Sequence, residues 1–310
     1  MSDGSSPFHA GEQAAQSRAG VRDQVEAVGR RIVRGLMLEQ HRALFEALPW
    51  LWLGVLDDED RPWASVVVGA PGFVRAPDDV TLSVAALPRE GDPARALLRP
   101  GSPIAILGIQ PETRRRNRAN GVVRGTSDAG FSVSVRQSFG NCPKYIHPRA
   151  PVGARSAPRA EITAEGPSLS ARARRMVRQA DTFYLASASR GARTGQEGEG
   201  VDVSHRGGPA GFVRIAEADG ATTLVWPDYV GNYLFNTIGN LESHPRAGLA
   251  IVDYASGDLL PLTGETETSW DGPEVRAVPG AQRVLRLRVT RGAIVTSAVP
   301  LSWAEPQSSP

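Results

Sequence analysis

The chain has one cysteine and one lysine in 310 residues. A lone Cys142 excludes an intrachain disulfide and any metal or iron–sulfur centre built from cysteines, and it makes a reducing, cytoplasmic setting the default expectation. The five histidines, His9, His41, His147, His205 and His244, are scattered without metal-ligand spacing, so no metal is expected. No apolar run approaches the ~20 residues that a membrane helix needs. No Gly-x-Gly-x-x-Gly follows an apolar strand, which argues against a Rossmann unit. Charge of one sign is also lacking: the net charge is +2, and "RRRNR" at 114–118 is the one local basic cluster. A nucleic-acid partner would want a sustained basic face with interleaved aromatics, and aromatics are only 6% of the chain.

Lysine is scarce because arginine fills nearly all of the 35 basic positions. The two are not interchangeable where a compact point charge on a flexible stem is required rather than a planar fork. Lys144 is therefore a candidate functional cation.

What the chain does have is a repeat. "GAPGFVR" at 69–75 returns as "GGPAGFVR" at 207–214, and long-period self-similarity decides how the rest is read. Each copy follows a helix-like stretch (38–48 and 171–180) and an apolar strand (50–56 and 182–187). Each is followed by a turn, a strand (80–84 and 222–226) and a buried-looking strand (104–109 and 247–253). Many short strands with regular turn residues and few helices predict a mainly β chain built of small barrels. The expected organisation is a disordered tail over 1–20, a first unit over 21–146 with helix at 21–48, and a Pro/Ala/Gly/Arg-rich linker over 147–169. A second unit over 170–300 and a short tail over 301–310 complete it. Residues 190–200, glycine-rich and without an apolar anchor, read as a mobile loop.

Three segments could carry chemistry. "VDVSHRGG" at 201–208 puts Ser204, His205 and Arg206 beside paired glycines that allow close backbone approach, whereas the first copy has "ASVVV" at 64–68. "WPDYVGNYLFNTIGN" at 226–240 follows a strand and opens a helix expected within 229–242. Its N-terminal N–H groups suit a phosphate, with Asn232, Asn236, Thr237 and Asn240 as neutral donors. "SFGNCPKYI" at 138–146 holds Cys142, read as structural, and Lys144.

On "QSFGNCPKYI", "DVSHRGGPAGFVR" and "LVWPDYVGNYLFNTIGNLESHPRAGLAIVD" the chain resembles the flavin-nucleotide-binding proteins related to pyridoxamine 5′-phosphate oxidase, over about 38–146 and 170–290. The resemblance implies the FMN-binding split barrel, here as two tandem barrels forming an intrachain pseudo-dimer with FMN between them. It implies an FMN-dependent oxidoreductase acting on a small molecule, with a separate reductase as the electron source if one is used. Ser204, Arg206, Gly207 and Arg214 would line the flavin, and Trp226, Pro227 and Asp228 would meet the ring and ribityl chain. Asn236, Thr237 and Asn240 stand where the oxidases carry Ser-Arg-Lys and a glutamine around the phosphate. That loses two cations, for which Arg206, Arg214 and Lys144 are the candidate replacements. His205 and Arg206 are the expected catalytic pair, with His205 as a proton donor. One complete site rather than two is expected, because the first copy lacks a matching helix. A flavin or haem carrier and a deazaflavin enzyme are the alternatives, and a monomeric pseudo-dimer or a homodimer both remain open.

Overall fold

The computed structural model describes residues 6–140 and 142–304. Three helices lead in: α1 (Ala10–Arg18), α2 (Arg22–Ile32) and α3 (Glu39–Ala47). The first sheet is formed by β1 (Trp50–Leu56), β2 (Pro62–Val68), β3 (Val74–Arg75), β4 (Thr81–Val84), β5 (Pro103–Gln110), β6 (Arg115–Ser127) and β7 (Gly130–Gly140). Two short strands, β8 (Pro151–Ala154) and β9 (Ile162–Glu165), and helix α4 (Ala171–Gln179) lead to the second half. There β10 (Thr182–Ala188), β11 (Val201–Gly207), β12 (Arg214–Ala218) and β13 (Ala221–Tyr229) precede α5 (Asn236–Ser243). The chain ends in β14 (Arg246–Asp253), β15 (Asp258–Ser269), α6 (Pro273–Arg276), β16 (Ala281–Val295) and β17 (Leu301–Trp303).

Both sheets are antiparallel and run in one order. The first is β2-β1-β5-β6-β7-β4-β3 and the second β11-β10-β14-β15-β16-β13-β12, with β9 added beside β16. Strands β1 and β10, each one in from the sheet edge, are buried along their whole length, which is why their sequences, "WLWLGVL" and "TFYLASA", are apolar almost without alternation. The match extends to irregularities. β6 bulges at Asn120/Gly121 and β15 at Thr263/Gly264. A Cβ on either glycine would overlap a carbonyl oxygen of the neighbouring strand, that of Ser134 or of Arg288, so each bulge closes only around glycine.

Each sheet has its own apolar core, and a third core lies between them, with Trp50, Trp52, Ala105, Tyr184, Ala186, Val203 and Ala250 among its members. At its centre the Trp52 and Tyr184 rings stack at 3.4 Å and 9°. The registers make these two residues counterparts: Trp52 pairs with Val66 and Leu107, and Tyr184 with His205 and Ala250.

Several expectations are corrected. The sheets are open paths, their outermost strands unpaired with each other, rather than closed barrels. The tail expected over 1–20 contains α1, closed by a capping box of His9 and Glu12; residues 1–5 lie outside the described part. The helix expected over 21–48 breaks between Ile32 and Glu39, where Arg34 bridges to Ser138 of β7. The 147–169 linker contributes β8, which pairs with β17 at the supposed C-terminal tail, and β9; residues 305–310 lie outside the described part. The 190–200 segment is tied down, with Arg193 bonding Asp60 and the Asp57 carbonyl, and Glu199 bonding the Gly191 N–H. The helix expected within 229–242 starts only at Asn236, after Tyr233 and Phe235 adopt left-handed φ values of 59° and 63°. Among the described residues no helix is long and apolar enough to cross a membrane.

Candidate functional site

Polar side chains converge in a cleft between the two sheets, enclosing about 870 Å³ with its open mouth included. The second half supplies Ser204, His205, Arg206 and Gly207 from β11, Pro227, Asp228 and Tyr229 from β13, and Asn236 and Thr237 from α5. The first half supplies Arg116 and Arg118 from β6, and the chain after β7 adds Cys142, Lys144 and Tyr145. Residues two apart on a strand share a face, so β6 presents both arginines to the cleft.

Arg118 ties the halves together. Its Nε lies 2.7 Å from Asp202 Oδ1, both side chains almost fully buried, and it donates to the Val203 carbonyl at 3.1 Å and to Ser204 Oγ. Ser204 donates to Asp202 Oδ2 at 2.9 Å, and Thr237, in the first turn of α5, donates to Ser204 at 3.1 Å. At the other end Arg283 grips Asp228 at 2.9 Å while lying over the rings of Phe235 and Trp270. Arg206 Nε is 3.8 Å from Asp228, too far for a hydrogen bond.

The electrostatics are unbalanced. Arg116, Arg118, Lys144, Arg206 and Arg283 line the cleft; against these five cations stand two carboxylates, Asp202 and Asp228. Among the described residues Arg116 has no ion-pair partner, and the buried Arg116 Nε, Arg206 Nε and His205 Nδ1 have no hydrogen-bond partner. Burial, with Arg118 and Arg206 nearby, pulls Arg116 below the usual guanidinium range, to about 9, which leaves it charged at neutral pH. Burial and the charges of Arg116 and Arg206 hold His205 well below an ordinary imidazole. Both causes disfavour the imidazolium form of His205. An excess of positive charge in a cleft, with orphaned donors, is complementary to an anion.

The other expected residues divide. Ser204, Arg206, Gly207, Pro227, Asp228, Asn232, Asn236, Thr237 and Lys144 line the cleft. Three do not. Arg214 is exposed on edge strand β12; Trp226 is in the second sheet's core against Phe183; and Asn240 is buried on α5 between His9 and Ser187. Cys142, expected to be structural, is half-buried and lines the cleft. Arg116, Arg118, Asp202, Arg283 and Tyr145 were not among the expected site residues. "RRRNR" was visible, but nothing local says that a strand turns two of its arginines toward a site 85 residues away in sequence. Tyr145 stacks on Tyr229 at 5.4 Å and donates to the Val230 carbonyl at 3.1 Å, forming an aromatic wall. Among the described residues no cluster of His, Cys, Asp or Glu could hold a metal ion.

No family model and no curated protein matches this sequence. Solved structures similar to it include HupZ of Group A Streptococcus, at 12% identity and a TM-score of 0.31, covering 43% of this chain and 98% of that one. A provisionally assigned pyridoxamine 5′-phosphate oxidase of Lactobacillus delbrueckii is similar at 12% identity and a TM-score of 0.31, over 41% of this chain and 93% of that one. HutZ, a heme-storage protein of Vibrio cholerae, is similar at 10% identity and 0.27, over 42% and 95%. Each spans less than half of this chain.

Proposed function

We propose that the cleft binds FMN and that the chain is an FMN-dependent oxidoreductase, with two split-barrel units joined as an intrachain pseudo-dimer. The observation that carries this is the cation excess: Arg116, Lys144 and Arg206 point to a ligand with at least two negative charges, beside Thr237 and the first turn of α5. Arg116 and Arg118 stand in for the cations missing from the helix. The sequence resemblance to flavin-nucleotide-binding proteins supplies the class of ligand. Bound there, FMN would bring hydride or electron transfer. Arg116, Arg118, Arg206 and Thr237 would hold the phosphate. His205, neutral, would offer the ring a hydrogen bond rather than a proton, and the Tyr145–Tyr229 wall would flank the mouth.

The test is the visible spectrum of the purified protein before and after FMN addition and desalting. Retained flavin bands that disappear in Arg116→Ala support the reading; a protein that retains no flavin overturns it. Bleaching of retained flavin by NAD(P)H or a reduced organic substrate, with reoxidation, separates an enzyme from a carrier. One observation favours a second reading: a neutral buried His205 with a free Nδ1, amid cations, also suits haem and its two carboxylates. A haem-type spectrum on adding hemin, with no flavin retention, selects it. Deazaflavin would be recognised by its own fluorescence.

A further inference from the structure

The N-terminal segment reaches the back of the cleft. Helix α1 crosses α5 where Gly11 and Gly239 meet, so tightly that a Cβ on Gly239 would fall 2.5 Å from the Glu12 backbone. The crossing delivers Glu12, 4% exposed, to the first turn of α5. One carboxyl oxygen accepts from Asn236 Nδ2 at 2.6 Å and the other from the His9 N–H at 3.0 Å. His9 in turn meets Asn240 Oδ1 at 2.9 Å through Nε2. Asn236 is the hinge of this arrangement, since its side chain touches Glu12 on one side and lines the cleft on the other.

An asparagine amide has a donor end and an acceptor end, and a neighbour that needs one leaves the other free. An ionised Glu12 takes the NH₂ of Asn236 and leaves its carbonyl oxygen for the cleft, which repels an anion. A protonated Glu12 donates its O–H to that oxygen and turns the NH₂ outward, which attracts one. We propose that Glu12 is a positioning residue for the anion site: its proton decides which end of the Asn236 amide faces the bound phosphate. This rests on the cleft binding an anionic cofactor such as FMN.

The surroundings place the switch in a measurable range. Burial raises the Glu12 carboxyl to about 8, with the Asn236 and His9 hydrogen bonds opposing; Asp202 raises it further and Arg118 lowers it. His9 is pushed toward neutrality by burial, against Glu199 and its bond to Asn240. A phosphate dianion at the cleft disfavours the ionised carboxylate, so binding takes up a proton. Affinity is then high below pH 8 and falls above it, by at most about tenfold between pH 7 and 9 for one linked proton.

The experiment is titration of FMN, and separately of inorganic pyrophosphate, at pH 7, 8 and 9, with wild type, Glu12→Gln and Asn236→Ala. The Gln side chain can donate to the Asn236 oxygen at any pH, so Glu12→Gln should bind as wild type does at pH 7 and lose most of the pH slope. Asn236→Ala should lose the slope too and bind more weakly at pH 7, which keeps the test open if Glu12→Gln does not fold. An equal slope in wild type and both variants overturns the role of Glu12 and leaves the FMN reading intact. If FMN does not bind but pyrophosphate binds with a Glu12-dependent slope, the FMN reading fails and this proposal stands. If neither ligand binds, both fail.

Discussion

One cleft is lined by β11 and a second by its counterpart strand β2. The registers place Val66 and Val68 of β2 where β11 has His205 and Gly207, and Trp63 where it has Asp202. Leu259 and Pro261 of β15 stand where β6 has Arg116 and Arg118. The second cleft is lined by Val66, Val68 and Leu87, with Arg89, Glu90, Arg95 and Arg159 around it. One serine is shared and shows the divergence. Ser204 joins the Arg118–Asp202–Thr237 network, whereas Ser65 donates to Asp92 at 2.6 Å, where Asp92 caps the short 3₁₀ turn Pro93–Leu97. The strand pairing is common to both halves, and the side chains it carries differ.

Removing the strut of the charged cleft should produce the largest effect. Arg118→Ala leaves Asp202 buried without its cation, for which about 3–5 kcal/mol of lost stability is expected. Arg118→Leu with Asp202→Leu, closer to the Pro261 and Trp63 of the counterpart positions, should recover much of that stability while abolishing FMN retention. Thermal melts beside flavin spectra check both. A double variant as unstable as Arg118→Ala would show that the pair itself, and not the uncompensated charge, matters.

The next test converts one cleft into the other. His205→Val with Arg206→Val copies Val66 and Val67. Hydrogen bonds to charged groups are worth about 1.5–3 kcal/mol each, so FMN affinity should fall about 10- to 100-fold with little loss of stability. Equilibrium fluorescence titration measures it, and unchanged affinity would remove β11 from the site.

A third test uses the buried acid that Ser65 contacts, Asp92. Burial raises Asp92 to about 6, against the Ser65 and Ala94 hydrogen bonds. Because the folded-state value lies above the unfolded one, the native state holds the proton more tightly, and stability is fully present below pH 4 and lost as pH rises toward 6. Wild type should therefore lose about 2 kcal/mol from this group between pH 4 and 6, and Asp92→Asn should flatten that part of the curve. Urea melts across the range decide; an unchanged slope in Asp92→Asn assigns it to another group.

These contrasts also show what the sequence could reveal. The repeat and its strand pattern were legible because apolar runs and Gly/Pro turns are local signals, and so was the polar content of 201–208 and 226–237. The first sheet's contribution was not. Arg116 and Arg118 sit in an ordinary basic run, and only the register of β6 and the packing of the sheets bring them to Asp202 and Ser204. The N-terminal helix was missed for a related reason. Its composition is that of a solvated tail, and its order comes from His9, Glu12 and Gly11 meeting α5. Asn240 is turned away from the cleft because its NH₂ donates to Ser187 and its oxygen meets His9.

The smallest effect is expected where motif and geometry disagree most. Arg214 belongs to the repeated "GFVR" motif and was a candidate phosphate cation, yet it is exposed at the sheet edge, as is Arg75 in the other copy. A guanidinium in that position makes no desolvated contact with the cleft. Whatever recurs in the motif is served by its apolar members instead: Phe73 and Val74 are in the first sheet's core, and Phe212 and Val213 in the second's. Arg214→Ala and Arg75→Ala should each change stability by no more than about 0.5 kcal/mol, and FMN affinity by less than twofold. Phe212→Ala, which opens a cavity against Phe183, should cost about 3–5 kcal/mol. A marked loss of flavin in Arg214→Ala alone would mean that β12 folds over the cleft when the cofactor is bound, and the boundary drawn between motif and site would have to move.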